Sequence, residues 1–332
     1  MCHYAEQRSR RIAMLVFDGA RTLDVTGPLE VFDQARTFGY DYSVALHTWG
    51  EASTIRCSSG LTFDATPAAR PAPDVDTLVI TGGESLVSEG VPVQLQQVVR
   101  DHVSRSRRVA AVGVGAFALG AAGLLAGRRA TTHWRHLDAF AAMCADTIVD
   151  RESVFVRDGE VWTSAGAGAG IDLALALVAD DYGADLAHQI SKDLVMISRR
   201  MEGHPQLSVA ARTPRPKHAV LERLLATIAV DPAGQYELDV VAARVGMSPR
   251  HLARLFKAQT GMTLRQYVHE IRLENAVSLV LAGESFHAAA QRSGLRYGAR
   301  IRDHLEAHRM PLQTGTLLVD PGGTKSVPVY AG

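Results

Sequence analysis

The sequence predicts two structural classes in one chain: a doubly wound α/β domain, followed by an all-α domain with two helix-turn-helix units. In residues 1–198, short apolar runs rich in β-branched residues alternate with helical patterns, which is typical of a parallel sheet covered by helices. Residues 218–311 show helical periodicity interrupted by turn residues. Charge divides in the same way, since residues 1–198 carry 17 lysines and arginines against 24 acidic residues, and residues 199–332 carry 18 against 11.

Composition narrows the class of protein. A chain of 332 residues is longer than one hydrophobic core usually supports, so two domains are expected. No apolar run reaches the roughly 20 residues of a membrane span, and no signal peptide is recognisable. The cysteines are scattered and odd in number, which favours neither a disulfide framework nor a zinc site; they are Cys2, Cys57 and Cys144. We therefore expect a cytoplasmic, nucleoid-associated protein without metal or cofactor.

The opposite charges of the two halves suggest a polyanion as the partner of the second half. The alternative is that surface charge merely fluctuates along the chain, because solvated charged faces are common.

The first half carries the pattern of a flavodoxin-like sheet. Its predicted strands are Ile12–Phe17, Tyr42–Trp49, Thr77–Ile80 and Val109–Val114. The helical patterns between and after them are Leu29–Ala35, Val91–Ser104 and Ala116–Leu125. In such sheets, ligands bind at the carboxyl ends of the strands, so the strand-to-helix junctions form the candidate site.

Three junctions stand out. Asp24 follows the first strand, and the pair Gly82-Gly83 follows a later one. Next, Gly113 and Val114 lie in a strand–tight turn–helix pattern, which is the geometry of a nucleophile elbow. An elbow presents a serine or cysteine above a helix N-terminus, and neither glycine nor valine has a nucleophilic side chain.

Each candidate has a structural alternative. Asp24 could be a helix cap or a solvated turn residue, and Gly82-Gly83 could serve only a tight turn. His133, beside Trp134, could be a structural histidine. A glycine run ahead of the predicted helix Ile171–Val178 suggests either anion binding or, as we prefer, close helix packing; it consists of Gly166, Gly168 and Gly170.

Several motifs in this order carry a family resemblance: LDVTGPLEVF, VITGG, GVGAFALGAAGLLAGRRATTHW and TSAGAGAGIDLALALV. Residues 11–200 resemble the PfpI/ThiJ superfamily in its glutamine-amidotransferase-like form, in the version that is fused to AraC-type DNA-binding domains. The resemblance implies an elbow cysteine where this chain has Gly113, a carboxylate matching Asp24 and a histidine matching His133. Without the cysteine, the family's covalent chemistry is not expected, and these residues become ligand-pocket candidates together with Gly82, Gly83 and Val114.

The second half predicts a helix-turn-helix unit at Leu238–Lys257. Residues 199–217 are basic, contain proline and lack periodicity, which indicates a linker, and His218–Ile228 follows as an amphipathic helix. Gly246 marks the turn, with Ser248 as the N-cap and Pro249 as the first residue of the second helix. The polar residues of that helix suit DNA; we assign base contacts to Arg250 and Arg254, contacts to a phosphate or a base acceptor to Ser248 and His251, and a phosphate contact to Lys257. The alternative is a basic solvated face in an ordinary bundle.

A long helix, Leu264–Leu281, precedes a looser second unit at Ser285–Arg292 and Tyr297–His308. Residues 218–311 resemble the AraC-type DNA-binding domain, closely in the first unit and with Arg272 fitting its linking helix. The second unit departs from the pattern at Leu295, Ile301 and Leu305, and a basic position is Asp303, whose carboxylate repels phosphate. Its candidate DNA contacts are Arg296, Arg300 and Arg302.

Three functions remain open at this stage. The favoured one is a transcriptional regulator whose domain 1–198 dimerises and senses a small molecule, while the domain 218–311 binds double-stranded promoter DNA and, in an activator, contacts RNA polymerase. Residues 199–217 are then the linker and 312–332 a C-terminal tail. The second is a PfpI-type enzyme, an amidase, hydratase or glyoxalase-like activity, with a DNA-binding appendage. In the third, the α/β domain is a dimerisation scaffold without a ligand.

Overall fold

The structure is a computed structural model that describes residues 9–67, 75–196, 199–281, 283–296 and 298–307. These residues form two compact units, which meet in the chain between Gln206 and Leu207. We call the part up to Gln206 unit 1 and the part from Leu207 to Ala307 unit 2. Cys2, the predicted tail 312–332, Tyr297 and His308 lie outside the described residues. Among the helices described, none is long and apolar enough to cross a membrane.

Unit 1 contains a mixed sheet with helices packed on it. Its strands are β1 (Arg10–Leu15), β2 (Tyr42–Thr48), β3 (Thr54–Arg56), β4 (Thr62–Asp64), β5 (Thr66–Pro67), β6 (Thr77–Ile80), β7 (Arg108–Val112), β8 (Arg129–Ala130), β9 (Ile148–Val149), β10 (Phe155–Asp158) and β11 (Val161–Ser164). Its helices are α1 (Thr22–Thr37), α2 (Ser85–Ser88), α3 (Val93–Val103), α4 (Ala116–Ala121), α5 (Leu137–Met143), α6 (Gly168–Tyr182) and α7 (Ala184–Asp193).

The strand order confirms the predicted flavodoxin-like class. The main sheet of the described residues runs β10-β11-β7-β6-β1-β2-β5, parallel throughout except for β10, which pairs antiparallel with β11. The order reverses between β1 and β6, and this switch point is where doubly wound sheets form a crevice. Every residue of β6 and β7 is buried, because helices cover both faces of a parallel sheet.

The first helix is longer than the predicted Leu29–Ala35. Helix α1 begins at Thr22, and Pro28 lies inside it. A proline inside a helical pattern normally signals a helix boundary, so the predicted start of this helix was seven residues too late. The reason is tertiary: a Cβ on Gly27 would lie 3.0 Å from the Ile171 side chain, which shows that α1 and α6 approach closely here. The pairs β3–β4 and β10–β11 were not predicted, because their strands have only three or four residues each.

The regular elements among the described residues of unit 2 are all helices. Its helices are α8 (Val209–Arg212), α9 (Ala219–Val230), α10 (Leu238–Arg244), α11 (Pro249–Thr260), α12 (Leu264–Leu281), α13 (Phe286–Arg292) and α14 (Ala299–Ala307). The predicted helix Leu264–Leu281 has the bounds of α12, and His218 caps α9 by accepting a hydrogen bond from the Val220 N–H. Its core is built from buried aliphatic and aromatic side chains, including Leu221, Ile228, Val241, Leu252, Phe256 and Tyr267.

The segment predicted as a linker, residues 199–217, is more ordered than its composition indicated. Its first part belongs to unit 1, where the Arg200 guanidinium pairs with the buried Asp172 of α6 at 2.7 Å. Its second part contains helix α8 of unit 2, and the Val209 N–H donates to the carboxylate of Glu274. Each part of residues 199–217 is therefore held to its own unit by tertiary contacts, which the periodicity of the sequence does not indicate.

A buried ionic network fastens the amino end of the sheet to α6. Arg108, at the start of β7, has a side chain that is 1% exposed, and it pairs with Asp180 at 2.9 Å and with Asp181. Asp181 is fully buried and also accepts a hydrogen bond of 2.7 Å from the Tyr42 hydroxyl. Arg108 in turn donates to the Thr77 hydroxyl at 2.9 Å. The network thereby links β2, β6 and β7 to the C-terminal end of α6.

We predict that Asp181→Asn strongly destabilises unit 1. Removing one partner from a buried ion pair leaves uncompensated charge, which costs about 3–5 kcal/mol. The tryptophans, Trp49, Trp134 and Trp162, all lie in unit 1, so urea unfolding followed by tryptophan fluorescence reports on this unit.

Asp33→Asn is the matched control, because Asp33 pairs with Arg36 on the surface of α1 with side chains 59% and 60% exposed. Exposed pairs contribute about 0–1 kcal/mol, so its unfolding midpoint should remain close to that of the parent. Equal midpoints for the two variants would contradict a stabilising role for the network.

Candidate functional site

The carboxyl end of β7 has the backbone of a nucleophile elbow. The strand ends at Val112, a 3₁₀ turn spans Gly113–Gly115, and α4 begins at Ala116. Gly113 has a φ of +58°, in the left-handed region that residues other than glycine rarely adopt. The elbow therefore has its sharp turn but no side chain at the position where a nucleophile would stand.

Asp24 lies against this turn and is 2% exposed, so it is not a solvated turn residue. Its carboxylate accepts a 2.7 Å hydrogen bond from the Ala167 N–H at the N-terminal end of α6. Burial raises the pKa of Asp24 to about 6, against the lowering effect of the N–H groups of Ala167 and Gly82 and the charge of Arg21. Asp24 is therefore a cap, as one alternative held, but of α6 and not of its own helix.

The glycines around Asp24 are explained by close packing. A Cβ on Gly82 would lie 2.6 Å from Asp24 Oδ2, and a Cβ on Gly113 would lie 3.1 Å from the same atom. A Cβ on Gly166 would lie 2.7 Å from the Gly113 Cα, and one on Gly170 would lie 2.9 Å from the Val112 side chain. Close packing, the preferred alternative for the glycine run, accounts for these last two positions.

The predicted pocket residues meet in a small recess with a volume of about 10 Å³. Among them, Asp24, Gly83, Gly113, Val114 and His133 line it, whereas Gly82 lies behind Asp24. The other lining residues are Arg21, Glu84, His136, Ala165, Gly166 and Ala167. Of these, Gly166 belongs to the glycine run that the sequence singled out, with Ala165 and Ala167 in the same motif, whereas Arg21, Glu84 and His136 were not predicted. A recess of this volume holds about one water molecule.

His133 contributes a neutral imidazole to the recess. Its Nδ1 accepts a 3.3 Å hydrogen bond from the Arg135 N–H. Burial lowers the pKa of His133 to about 4, and the charges of Arg21, His136 and Arg135 act in the same direction. Nearby, His136 Nε2 lies 3.4 Å from a carboxylate oxygen of Glu84. The recess thus offers acid–base groups and polar contacts.

The two described cysteines lie outside the recess. Cys57 and Cys144 are both buried and free, and burial raises the pKa of the Cys144 thiol to about 11. A thiol with such a pKa is protonated at neutral pH and is a weak nucleophile. Neither cysteine therefore replaces the side chain that the elbow lacks.

Hydrogen bonds run from the elbow to the last residue of unit 1. The Thr132 hydroxyl donates to the Gly113 carbonyl at 3.0 Å, and the Gln206 side-chain amide donates to the Thr132 carbonyl at 2.9 Å. The Gln206 N–H also donates to the Glu152 carbonyl at 2.7 Å. Since unit 2 begins at the next residue, the recess is tied to the start of the connection between the units.

In unit 2, α10 and α11 form the first predicted helix-turn-helix. Gly246 turns the chain with a φ of +68°, and the Ser248 hydroxyl accepts a 3.3 Å hydrogen bond from the His251 N–H at the start of α11. Leu252 and Phe256, on the inner face of this helix, are buried. Its exposed residues include those predicted to bind DNA, namely Arg250, His251, Arg254 and Lys257. Arg250 and Arg254 are four residues apart and so share one face.

Helices α13 and α14 form the second predicted helix-turn-helix, and two of its arginines make contacts within the protein. Arg300 lies 3.2 Å from the Nε2 of His269 on α12, and the Arg302 guanidinium lies 5.4 Å from the centre of the Phe286 ring. Arg296 and Asp303 are exposed. Ile301 and Leu305, two of the positions that depart from the family pattern, are fully buried.

Arg272 of α12 has a structural role. Its guanidinium donates to the carbonyls of Pro232 and Gly234, each at 2.8 Å, and so braces the loop between α9 and α10.

Residues 10–180 match the model of the DJ-1/PfpI family, and residues 241–309 match that of a helix-turn-helix domain. The chain is 34% identical over 184 residues to the isonitrile hydratase of Pseudomonas putida, which covers 55% of this chain and 77% of that protein. It is 29% identical over 275 residues to the HTH-type transcriptional regulator CdhR of Pseudomonas aeruginosa, which covers 80% of this chain and 79% of that one.

A solved ThiJ/PfpI family protein from Pseudomonas syringae has the same fold, with a TM-score of 0.52 at 22% identity over 79% of this chain and 90% of that one. The resemblance that the motifs indicated is confirmed. The chain belongs to the DJ-1/PfpI family and continues, beyond the family's own domain, into an AraC-type helix-turn-helix domain.

Proposed function

We propose that the chain is a sequence-specific DNA-binding transcriptional regulator. The observation that carries this proposal is the first helix-turn-helix, in which a capped helix presents Arg250 and Arg254 to solvent on one face. Such a helix fits the major groove, where an arginine can bind O6 and N7 of guanine together. The similarity to the regulator CdhR, which extends over both units, supports the same function.

In this proposal, the second helix-turn-helix contributes mainly to the affinity for DNA and supports the first helix-turn-helix. Contacts with His269 and Phe286 engage Arg300 and Arg302 within the protein, and the carboxylate of Asp303 opposes approach to phosphate. Arg296, Arg300 and Arg302 are all exposed, so each can still contact a phosphate. Reading of bases therefore falls to α11.

Unit 1 acts in this proposal as a dimerisation and sensor module without covalent chemistry. The elbow turn carries Gly113, so no bond to a substrate can form there. The similarity to isonitrile hydratase keeps a PfpI-type enzyme as the alternative, since the recess still contains Asp24 and His133. The hydrogen bonds from the Gly113 carbonyl to Gln206 offer a route by which a change at the recess reaches unit 2.

We predict that Arg250→Ala and Arg254→Ala each reduce sequence discrimination by about 5- to 150-fold, the equivalent of about 1–3 kcal/mol per bidentate contact. An operator is first selected from a randomised duplex pool with the full chain. Affinities for this operator and for random duplex are then measured across a salt series by fluorescence anisotropy.

Lys257→Ala and Arg296→Ala should each lower the affinity for both duplexes alike. Each should also reduce the slope of log affinity against log salt concentration by about one, as loss of a phosphate contact does. Arg223→Ala, an exposed arginine on α9, is the matched control and should change neither affinity. If changes in the second helix-turn-helix erase discrimination while Arg250→Ala does not, the base-reading helix is assigned wrongly.

We predict that the full chain turns over amides, esters, isonitriles and glyoxals no faster than buffer, because the elbow has no nucleophile. The isonitrile hydratase of Pseudomonas putida serves as the positive control of the assay. Turnover that disappears in Asp24→Asn or His133→Ala would establish the enzyme instead.

We further predict a homodimer formed through unit 1, since paired DNA-binding units read symmetric half-sites. Sedimentation of the full chain and of residues 1–206 at micromolar concentration should give dimers for both. A monomeric fragment beside a dimeric full chain would place the interface in unit 2.

A further inference from the structure

Unit 1 contains a second and larger cavity beside the recess. This cleft has a volume of about 630 Å³ and opens at the carboxyl ends of β1 and β2, where Phe17, Asp18 and residues 48–52 line it. Its opposite wall is formed by residues 85–86 and 89–93, around α2 and the start of α3. The cleft thus lies at the point between β1 and β6 where the strand order reverses. Its volume is within the range of about 300–1,000 Å³ that is usual for small-molecule sites.

Two aromatic rings form the inner wall of the cleft. The ring centres of Phe17 and Trp49 are 4.9 Å apart, and the rings are tilted by 47°. Phe17 is held in place from behind, because a Cβ on Gly83 would lie 2.6 Å from its Cε2 atom. Gly83 also lines the recess, so its backbone separates the two cavities. Trp49 is only partly buried and offers a ring face to the cleft.

The charged residues that line the cleft are all acidic. Asp18, Glu51 and Glu89 come from three separate loops, and no lysine, arginine or histidine is among the described lining residues. Asp18 is fixed by a 2.7 Å hydrogen bond from the Arg56 N–H. A cleft lined by charges of one sign concentrates the potential of that sign.

The geometry points to a binding site for a small organic cation, an ammonium group with an apolar substituent. The ammonium is attracted by the partly exposed Trp49 ring and by the carboxylates, as in other aromatic sites for quaternary ammonium groups, while the buried Phe17 ring supports Trp49 from the inside. The substituent packs against Ile55, Leu86 and Val91. This inference rests on the proposed function, in which unit 1 is the sensor, and it locates the sensor site in the cleft and not in the recess.

The test compares three probes of similar size and different charge: benzyltrimethylammonium, benzyl alcohol and benzoate. Titration calorimetry on the full chain should show the cation binding at least about tenfold more tightly than the alcohol, with no heat from benzoate. Trp49→Leu should weaken binding of the cation, and Trp49→Phe, which keeps an aromatic face, should restore it.

The double change Glu51→Gln with Glu89→Gln should weaken binding of the cation by about fivefold or more, since two charge contacts with the ammonium are lost. Both residues are exposed, so folding should be unaffected. Glu160→Gln is the matched control, an exposed carboxylate in the turn between β10 and β11, and should leave the affinity unchanged.

Equal binding of the alcohol or benzoate, equal weakening by Glu160→Gln, or no binding of the cation overturns the inference. Binding of the selected operator is measured on the same samples. If the chain binds the operator but not the cation, only the assignment of the cleft as a cation site is overturned. If the chain binds no DNA, the proposed function is overturned.

Discussion

The carboxylate of Asp24 is the contact on which the functional end of unit 1 depends. It accepts the Ala167 N–H at 2.7 Å, and Gly82 and Gly113 pack closely against it, with the positions of a Cβ at 2.6 Å and 3.1 Å from Oδ2. These contacts bring together the junctions that follow β1, β6, β7 and β11. Because the carboxylate is buried, the cost of removing it from water is offset by the N–H groups of Ala167 and Gly82 and by the charge of Arg21.

Helix α6 carries this constraint across the sheet. Its N-terminal end is capped by Asp24, and its C-terminal end pairs with Arg108 through Asp180 and Asp181. From its middle, Asp172 holds Arg200, a few residues before Gln206 and the start of unit 2. The recess, the sheet and the beginning of the connection to the DNA-binding helices are thus fixed to one helix.

Unit 1 also contains two separate cavities, and the family resemblance points only to the recess. The recess beside Gly113 has about 10 Å³, whereas the cleft beyond Phe17 has about 630 Å³. The motifs of the sequence lead to the recess, because they mark where catalytic members of the family place their reacting groups. The cleft has no motif, since its lining comes from the ends of two strands and two loops.

The sequence by itself determined the features that depend on neighbouring residues. Caps, turn glycines and apolar periodicity predicted the bounds of α12 and β6 exactly as found, and the exposure of Arg250 and Arg254 on α11. Only the tertiary structure decided the features that depend on residues far apart in the chain. These are the early start of α1, the burial of Asp24 beneath α6, and the meeting of Arg21, Glu84 and His136 in the recess. The physical reason is that packing against a distant helix overrides local signals such as Pro28, and these contacts leave no periodic trace in the sequence.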